Sequence, residues 1–452
     1  MNAPPPPDLA RPAAPPAPAA RPAPPAGATG AARASADDPG RTTSSRGGWL
    51  DATLRRRVLD ALRRWPVGRV TVVLPDGTRV AGDAPSPGAG PAATLVVRDP
   101  AFFRKVALRG RLGLGESYVD GDWTSDDLAT LLELGVRNAA VARPPLLARV
   151  GAWFLPRRLD NDRTGSRRNV QAHYDLGNDF YALWLDETMT YSSAVVARED
   201  EPLGDAQRRK LEAVARKACV ADGDRVLEIG CGWGSFALHA ATTRACHVTG
   251  LTVSPAQHAF AVERVRRAGL ADRVDLRLQD WRDERGTYDA VVSVEMLEAV
   301  GRRWWRPWFE AVDRVLAPDG VAAVQVICHP DRGFDRYAAR TDWVERHVFP
   351  GTLLGSLGAF GDLLARHTRL RVFHVEDLAL SYAWTLRRWR ERFLARLPEV
   401  AALGFDDRFV RRWTYYLAVC EAAFRARRLS DLQLVLAREG CGRLSTLGTA
   451  PA

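Results

Sequence analysis

The stretch RVLEIGCGWGSFALHAA, residues 225–241, decides the fold. Val226, Leu227 and Ile229 form an apolar run that reads as a buried strand, and Gly230, Gly232 and Gly234 lead into a helical pattern with Phe236, Leu238 and Ala241 on one face. Glycines at such a turn let the backbone approach a ligand closely. Outward from this unit, RVLEIG, HVTGLTVS, RVDLRLQD, YDAVVSVE and GVAAVQVI are short β runs separated by helix-length stretches. That alternation predicts an α/β fold, a doubly wound Rossmann-like parallel sheet. Ligands of such sheets bind at the carboxyl ends of the strands, here residues 230–234, 252–257, 280–281 and 294–298.

The turn itself reads Gly-x-Gly-x-Gly, not the Gly-x-Gly-x-x-Gly that cradles a pyrophosphate at a helix N-terminus. A compact turn preceded by an acid, Glu228, suits S-adenosylmethionine, whose sulfonium and amino acid groups stand where phosphates would. The second strand lacks the acid that usually reads ribose hydroxyls, and Thr252 and Gln257 are the polar residues in its place. Asp280 and Trp281 end the next strand, placed to hold and cover an adenine. The bland alternatives are a tight turn without a ligand and strand ends carrying ordinary cap residues.

At 452 residues and 46% apolar content, the chain is long enough for two domains with a sizeable core. Residues 1–48, rich in Pro, Ala and Gly, read as a disordered tail. Residues 49–140 read as a small α+β domain: a helix in LDATLRRRVLDALRRW, a hairpin in RVTVVLPDGTRVAG turning at Asp76-Gly77, the strand ATLVVRD, then two helical segments. Residues 141–168 form a basic amphipathic linker that pairs Leu147, Val150, Trp153 and Phe154 with Arg157, Arg158, Arg163, Arg167 and Arg168. It reads equally as a lipid-interface segment or as a packed linker with a solvated basic face. No run is long enough to span a bilayer and no signal core is evident, so a cytoplasmic protein is expected. The six cysteines show neither CxxC nor zinc spacing, which argues against a disulfide framework or a structural metal. A formal charge of +10 points to an anionic partner, nucleic acid or membrane surface.

Six segments in order, VQAHYDLGNDFYALWLDETMTYSSA, VLEIGCGWGSFALHAA, VTGLTVSPAQ, YDAVVSVEMLEAVG, SYAWTLRRWRERF and YYLAVCEAAFRARRLSDLQLVL, resemble the cyclopropane fatty acid synthases and their mycolic acid relatives. The resemblance spans roughly residues 50–443. It implies a class I S-adenosylmethionine-dependent methyltransferase domain over residues 169–445, with helical insertions around a lipid site. The implied activity transfers the methyl group to a cis double bond of an unsaturated phospholipid acyl chain. A bound bicarbonate then removes a proton from the resulting cation, closing a cyclopropane.

By the same resemblance, Glu298 orients the bicarbonate, the backbones of Val294 and Ile327 contact it, and Tyr382 donates to it. Tyr191 and Ser192 close over the methionine end of the cofactor, and His173, Tyr174 and Asp175 lie in a covering helix. Four positions depart from the family pattern. Ser193 replaces a cysteine, Gln325 a bicarbonate-binding histidine, Ala299 a histidine, and Glu295 a glycine. The hydroxyl of Ser193 and the amide of Gln325 still offer donors to an anion. A displaced base would give a hydride shift time to precede proton loss, leaving a methylene branch in place of the ring. Expected partners are therefore unsaturated phospholipid and an anionic membrane surface, at the inner face of the membrane, with a homodimer left open. A nucleic-acid methyltransferase fits the charge but lacks a base-methylation motif, and an inactive lipid-binding protein fits poorly with retained Glu298 and Tyr382.

Overall fold

A computed structural model of the chain describes residues 45–82, 90–139 and 176–446. Residues 1–44 of the tail, the basic linker with its arginines, and His173, Tyr174 and Asp175 lie outside the described residues, whereas residues 45–48, read as tail, open the helix Ser45–Arg63.

Seven strands form the main sheet: β5 Arg225–Ile229, β6 His247–Thr252, β7 Val274–Leu278, β8 Tyr288–Val294, β9 Leu316–Cys328, β10 Leu370–Asp377 and β11 Ser430–Arg438. Their order is β10-β11-β9-β8-β5-β6-β7. From β7 to β9 all neighbours are parallel, whereas β11 runs antiparallel to both β9 and β10. The five strands expected from the sequence form the parallel part, to which β11 adds one antiparallel strand. The chain returns down from the helix Asp407–Arg425 and slots between β9 and β10.

The opening stretch folds as its residues dictate. β5 is central, and Val226, Leu227 and Ile229 are buried on both faces. Gly230, Gly232 and Gly234 have φ of 88°, 52° and 80°, a region that costs residues with a Cβ. The Gly230 and Cys231 N–H groups both donate to the Leu251 carbonyl at 2.9 Å, which pins the turn against β6. The helix Ser235–Thr243 follows.

A second sheet precedes this one, with order β2-β1-β3-β4: β1 Arg69–Val73, β2 Arg79–Ala81, β3 Ala92–Val97 and β4 Trp123–Thr124. β1 and β2 form the expected hairpin, in which Asp76 Oδ1 accepts the Thr78 N–H and Gly77 adopts φ 81°. The core of this unit continues into the helices Ala379–Leu394 and Asp407–Arg425. Arg411 donates to the carbonyls of Tyr118 and Trp123, and Tyr118 packs 5.5 Å from Tyr415. Those two helices also carry Tyr382 and Tyr416 to the carboxyl edge of the main sheet, so the N-terminal unit buttresses the elements that close the site.

The six cysteines are free thiols, and no cluster of potential metal ligands exists among the described residues. No described helix is long and apolar enough to cross a membrane.

Candidate active site

A cavity opens at the carboxyl ends of β5, β6 and β8. Tyr191, Ser192, Glu228, Gly230, Gly232, Thr252, Gln257, Asp280, Trp281 and Val294 all line it. Gly234 sits behind the turn, where an added Cβ would stand 3.2 Å from that of Ala261. At Gly232 an added Cβ would meet nothing within 4 Å, so the backbone there borders open space.

The electrostatics of this cavity distinguish among ligands. Lys210, fully buried on the helix Leu203–Lys217, donates to Ser192 Oγ at 2.6 Å and faces Glu228, Glu295, Asp431 and Asp186. Burial pulls Lys210 down to about 8 and pushes Glu228 up to about 8. One Glu228 oxygen, Oε2, is buried without a hydrogen-bond partner. A cation among these buried acids favours their ionised form and gives the orphaned Glu228 oxygen a counter-charge, whereas a pyrophosphate does neither. The residues therefore fit S-adenosylmethionine, with its sulfonium and ammonium charges.

At the second strand end Thr252 donates to Gln257 Oε1 at 3.1 Å, and Gln257 is held at the start of its helix by the Ser254 cap. Asp280 pairs with Arg282 at 2.7 Å, and that guanidinium lies 4.7 Å from the Trp281 ring centroid. Tyr191 hydrogen bonds to the Tyr416 hydroxyl at 2.8 Å, with its ring among Trp184, Trp389 and Phe349.

The anion site implied by the resemblance is filled by the protein itself. Glu295 Oε1 accepts the Ser193 N–H at 2.7 Å and the Gln325 amide at 2.8 Å, and Oε2 accepts the Tyr382 hydroxyl at 2.6 Å. The Ser193 hydroxyl turns away to the Ala194 carbonyl. The Ile327 N–H donates to Glu298 Oε1 at 2.5 Å, and Val294 pairs with Gln325 in the β8–β9 ladder. With these donors engaged, the residues do not fit a bicarbonate ion, because a second anion would have to displace or abut the Glu295 carboxylate.

Glu295 holds φ 49°, a conformation glycine would adopt without strain, and functional sites are where such strain collects. Burial raises its carboxyl, while Tyr382, the Ser193 N–H, Lys210 and Gln325 oppose that shift. Burial and the neighbouring Glu295 push Glu298 up to about 8, and its Oε2 has no partner. Asp431, wholly buried, accepts from Gln325 at 2.9 Å and is raised well above the carboxylate range. Lys210, Asp431 and the central position of Glu295 escaped the sequence reading. The available signal was Glu295 itself, a charged residue directly after a buried strand.

Gly232→Ala and Gly232→Val test the cofactor edge. Both place a side chain in the open space beside the turn and strain a φ of 52°, valine more than alanine because it is β-branched. Calorimetry should show S-adenosylmethionine affinity falling several-fold for alanine and at least about 100-fold for valine, with circular dichroism unchanged for alanine. Wild-type affinity in both would remove the cofactor from this turn.

The family described as mycolic acid cyclopropane synthetase matches residues 161–434. The chain is 40% identical to the tuberculostearic acid methyltransferase UfaA1 of Mycobacterium tuberculosis, over 82% of this chain and 88% of that protein. It is 36% identical to the cyclopropane-fatty-acyl-phospholipid synthase of Escherichia coli K12, over 80% and 90%. Among solved structures it resembles the cyclopropane synthase MmaA2 of Mycobacterium tuberculosis, with TM-score 0.56, 29% identity and coverage of 60% of this chain and 98% of that one. The mycolic acid cyclopropane synthase CmaA1 complexed with SAH matches equally, at TM-score 0.56 and 29% identity over 60% and 97%. The chain belongs to this cyclopropane synthetase family of S-adenosylmethionine-dependent methyltransferases.

Proposed function

We propose that the protein methylates the cis double bond of unsaturated phospholipid acyl chains and takes the ensuing proton on Glu295, yielding a methylene-branched chain. The observation that carries this reading is the Glu295 carboxylate seated on the donors expected to hold a free bicarbonate. Bound at the glycine turn, S-adenosylmethionine supplies an electrophilic methyl group. The double bond attacks it, and positive charge develops on the neighbouring acyl carbon. The buried Tyr382 ring, stacked 4.5 Å from Phe424, helps exclude water from that charge.

Glu295 Oε1 is occupied twice, whereas Oε2 accepts only from Tyr382, so Oε2 is the oxygen with capacity for the proton. A carboxylate fixed to a strand end by three hydrogen bonds approaches the cation more slowly than a loosely held anion. The cation then survives long enough for hydride to move from the methylated carbon to its neighbour. Loss of a proton from the added methyl leaves its C–H electrons as the exocyclic double bond. The similarity to a tuberculostearic acid methyltransferase supports the same outcome. We also propose an anionic lipid surface as the docking partner, supported by the +10 charge and by Arg157, Arg158, Arg167 and Arg168.

The test is proton NMR of lipids after incubation with cofactor and oleoyl phospholipid vesicles, with and without bicarbonate. Vinylidene hydrogens and indifference to bicarbonate are expected. Cyclopropane hydrogens that require bicarbonate would overturn the reading. Glu298→Gln gives a companion result: a carboxyl near 8 is largely protonated at neutral pH, so the amide is a close stand-in. Turnover should fall less than about tenfold, short of what loss of a general base costs.

A further inference from the structure

We infer that Lys217, two side chains removed from Glu295, is a positioning residue that dictates which end of the Gln325 amide meets the Glu295 carboxylate. Glu376 of β10 stands opposite Gln433 of β11, and Gln433 stands opposite Gln325 of β9. Directly opposed residues share a face of the sheet, so the three side chains form a row. Lys217 Nζ donates to Glu376 and to Gln433 Oε1. Gln433 Nε2 donates to Gln325 Oε1 at 2.9 Å, and Gln325 Nε2 donates to Glu295 Oε1 at 2.8 Å and Asp431 Oδ2 at 2.9 Å.

The direction of this row follows from valence. An ammonium group only donates, so the acceptor end of Gln433 must face Lys217. Its donor end then faces Gln325, whose acceptor end is thereby used, and the Gln325 NH2 is left for the two carboxyl groups. Lys217, Gln433 and Gln325 are 7%, 2% and 1% exposed, so water does not substitute for a missing link. Only Glu376, with a side chain 45% exposed, reaches solvent, where its charge anchors Lys217. Without the lysine nothing holds the acceptor end of Gln433 outward; when Gln433 turns over, its carbonyl meets Gln325 Oε1 and drives that amide to present Oε1 to Glu295 and Asp431. A carbonyl there accepts a hydrogen bond only from a protonated carboxyl, so the base is held in its inactive form. The other groups facing Glu295 are Tyr382, Tyr416, Lys210, Glu298 and Asp431, and those facing Lys217 are Glu376 and Arg216. Glu295, Asp431 and the Ser193 carbonyl, which accepts from Gln325 Nε2 at 3.5 Å, favour the same amide direction from the near end, so Lys217 fixes the row from the far end.

The inference rests on the assignment of Glu295 as the base, and the experiment separates the two. The pH dependence of methyl transfer to oleoyl phospholipid vesicles is measured for the full chain, Lys217→Met, Lys217→Arg, Gln433→Met and Glu295→Gln. Both methionine variants should move the acid limb of kcat upward by about one pH unit and lower the plateau about tenfold, with KM for S-adenosylmethionine unchanged. Lys217→Arg, again donor-only, should restore the wild-type limb. A general loss of packing would lower stability without moving the limb or discriminating arginine from methionine. Wild-type limbs in the methionine variants, or an arginine variant displaced as far as methionine, would overturn the relay. If Lys217→Met does not fold, Gln433→Met decides alone, since it breaks the row one link nearer the site. Full turnover in Glu295→Gln would overturn the base assignment, whereas an inactive Glu295→Gln beside unmoved methionine variants overturns only the relay.

Discussion

Glu295→Gln should lower turnover by about 10³-fold while S-adenosylmethionine affinity changes less than about tenfold, the signature of a lost general base. The substitution preserves the local bonding. The amide oxygen can accept from the Ser193 N–H and Gln325 as Oε1 does, and the new NH2 can donate to the Tyr382 hydroxyl, which turns from donor to acceptor. What disappears is the capacity to take a proton. Some affinity is lost because Glu295 is one of the carboxyl groups that favour a cation in this cavity. Single-turnover kinetics and calorimetry on the same preparation give both quantities. Turnover within tenfold of wild type would assign proton removal to another group, and Glu298, buried beside Ile327, would be the first examined.

The pH dependence follows from the same geometry. Burial raises Glu295 above the ordinary carboxylate range, so the active ionised form is lost at a higher pH than for an exposed glutamate. Activity should therefore fall on the acid side as the pH drops through that raised value. The sulfonium charge of the bound cofactor favours ionisation, so the acid limb of kcat should lie below that of kcat/KM.

Much of the fold was legible because it rests on local signals. The apolar run of β5 and the Gly230–Gly232–Gly234 turn specify strand, turn and helix within seventeen residues, residues 225–241. The Asp76-Gly77 hairpin was equally explicit. β10 was not, since seven of its eight residues are exposed and its charged and apolar positions are interspersed without a clean alternation. β11 was hidden for another reason: its position between β9 and β10 is set by tertiary pairing, which no periodicity encodes. At the site, the glycine turn and Glu228 could be read from spacing. The roles of Gln325 and Ser193 could not, because they depend on Glu295 reaching across from the end of β8 to two other segments. The sequence showed a glutamate where the family has glycine. Only the spatial arrangement shows its carboxylate held by the Ser193 N–H, the Gln325 amide and the Tyr382 hydroxyl.

That substitution suggests a reversal. On the proposed mechanism, Glu295→Gly combined with Ser193→Cys and Gln325→His should make turnover depend on bicarbonate and move the product toward cyclopropane. Glycine accepts the φ of 49° without strain, and removal of the side chain frees the Ser193 N–H and the Tyr382 hydroxyl to meet an ion of the same charge and similar size. Histidine at 325 supplies a donor between the former Glu295 carboxylate and Asp431, where Gln325 now sits. A loosely held anion can approach the cation before hydride moves, which favours ring closure. Glu295→Gly alone gives the intermediate result: almost no turnover in bicarbonate-depleted buffer and partial recovery when bicarbonate or formate is added, with little effect of either on wild type. Recovery of turnover without any change in the ratio of vinylidene to ring hydrogens would separate the two roles, leaving Glu295 as the base and placing the choice of product in the walls that hold the acyl chain.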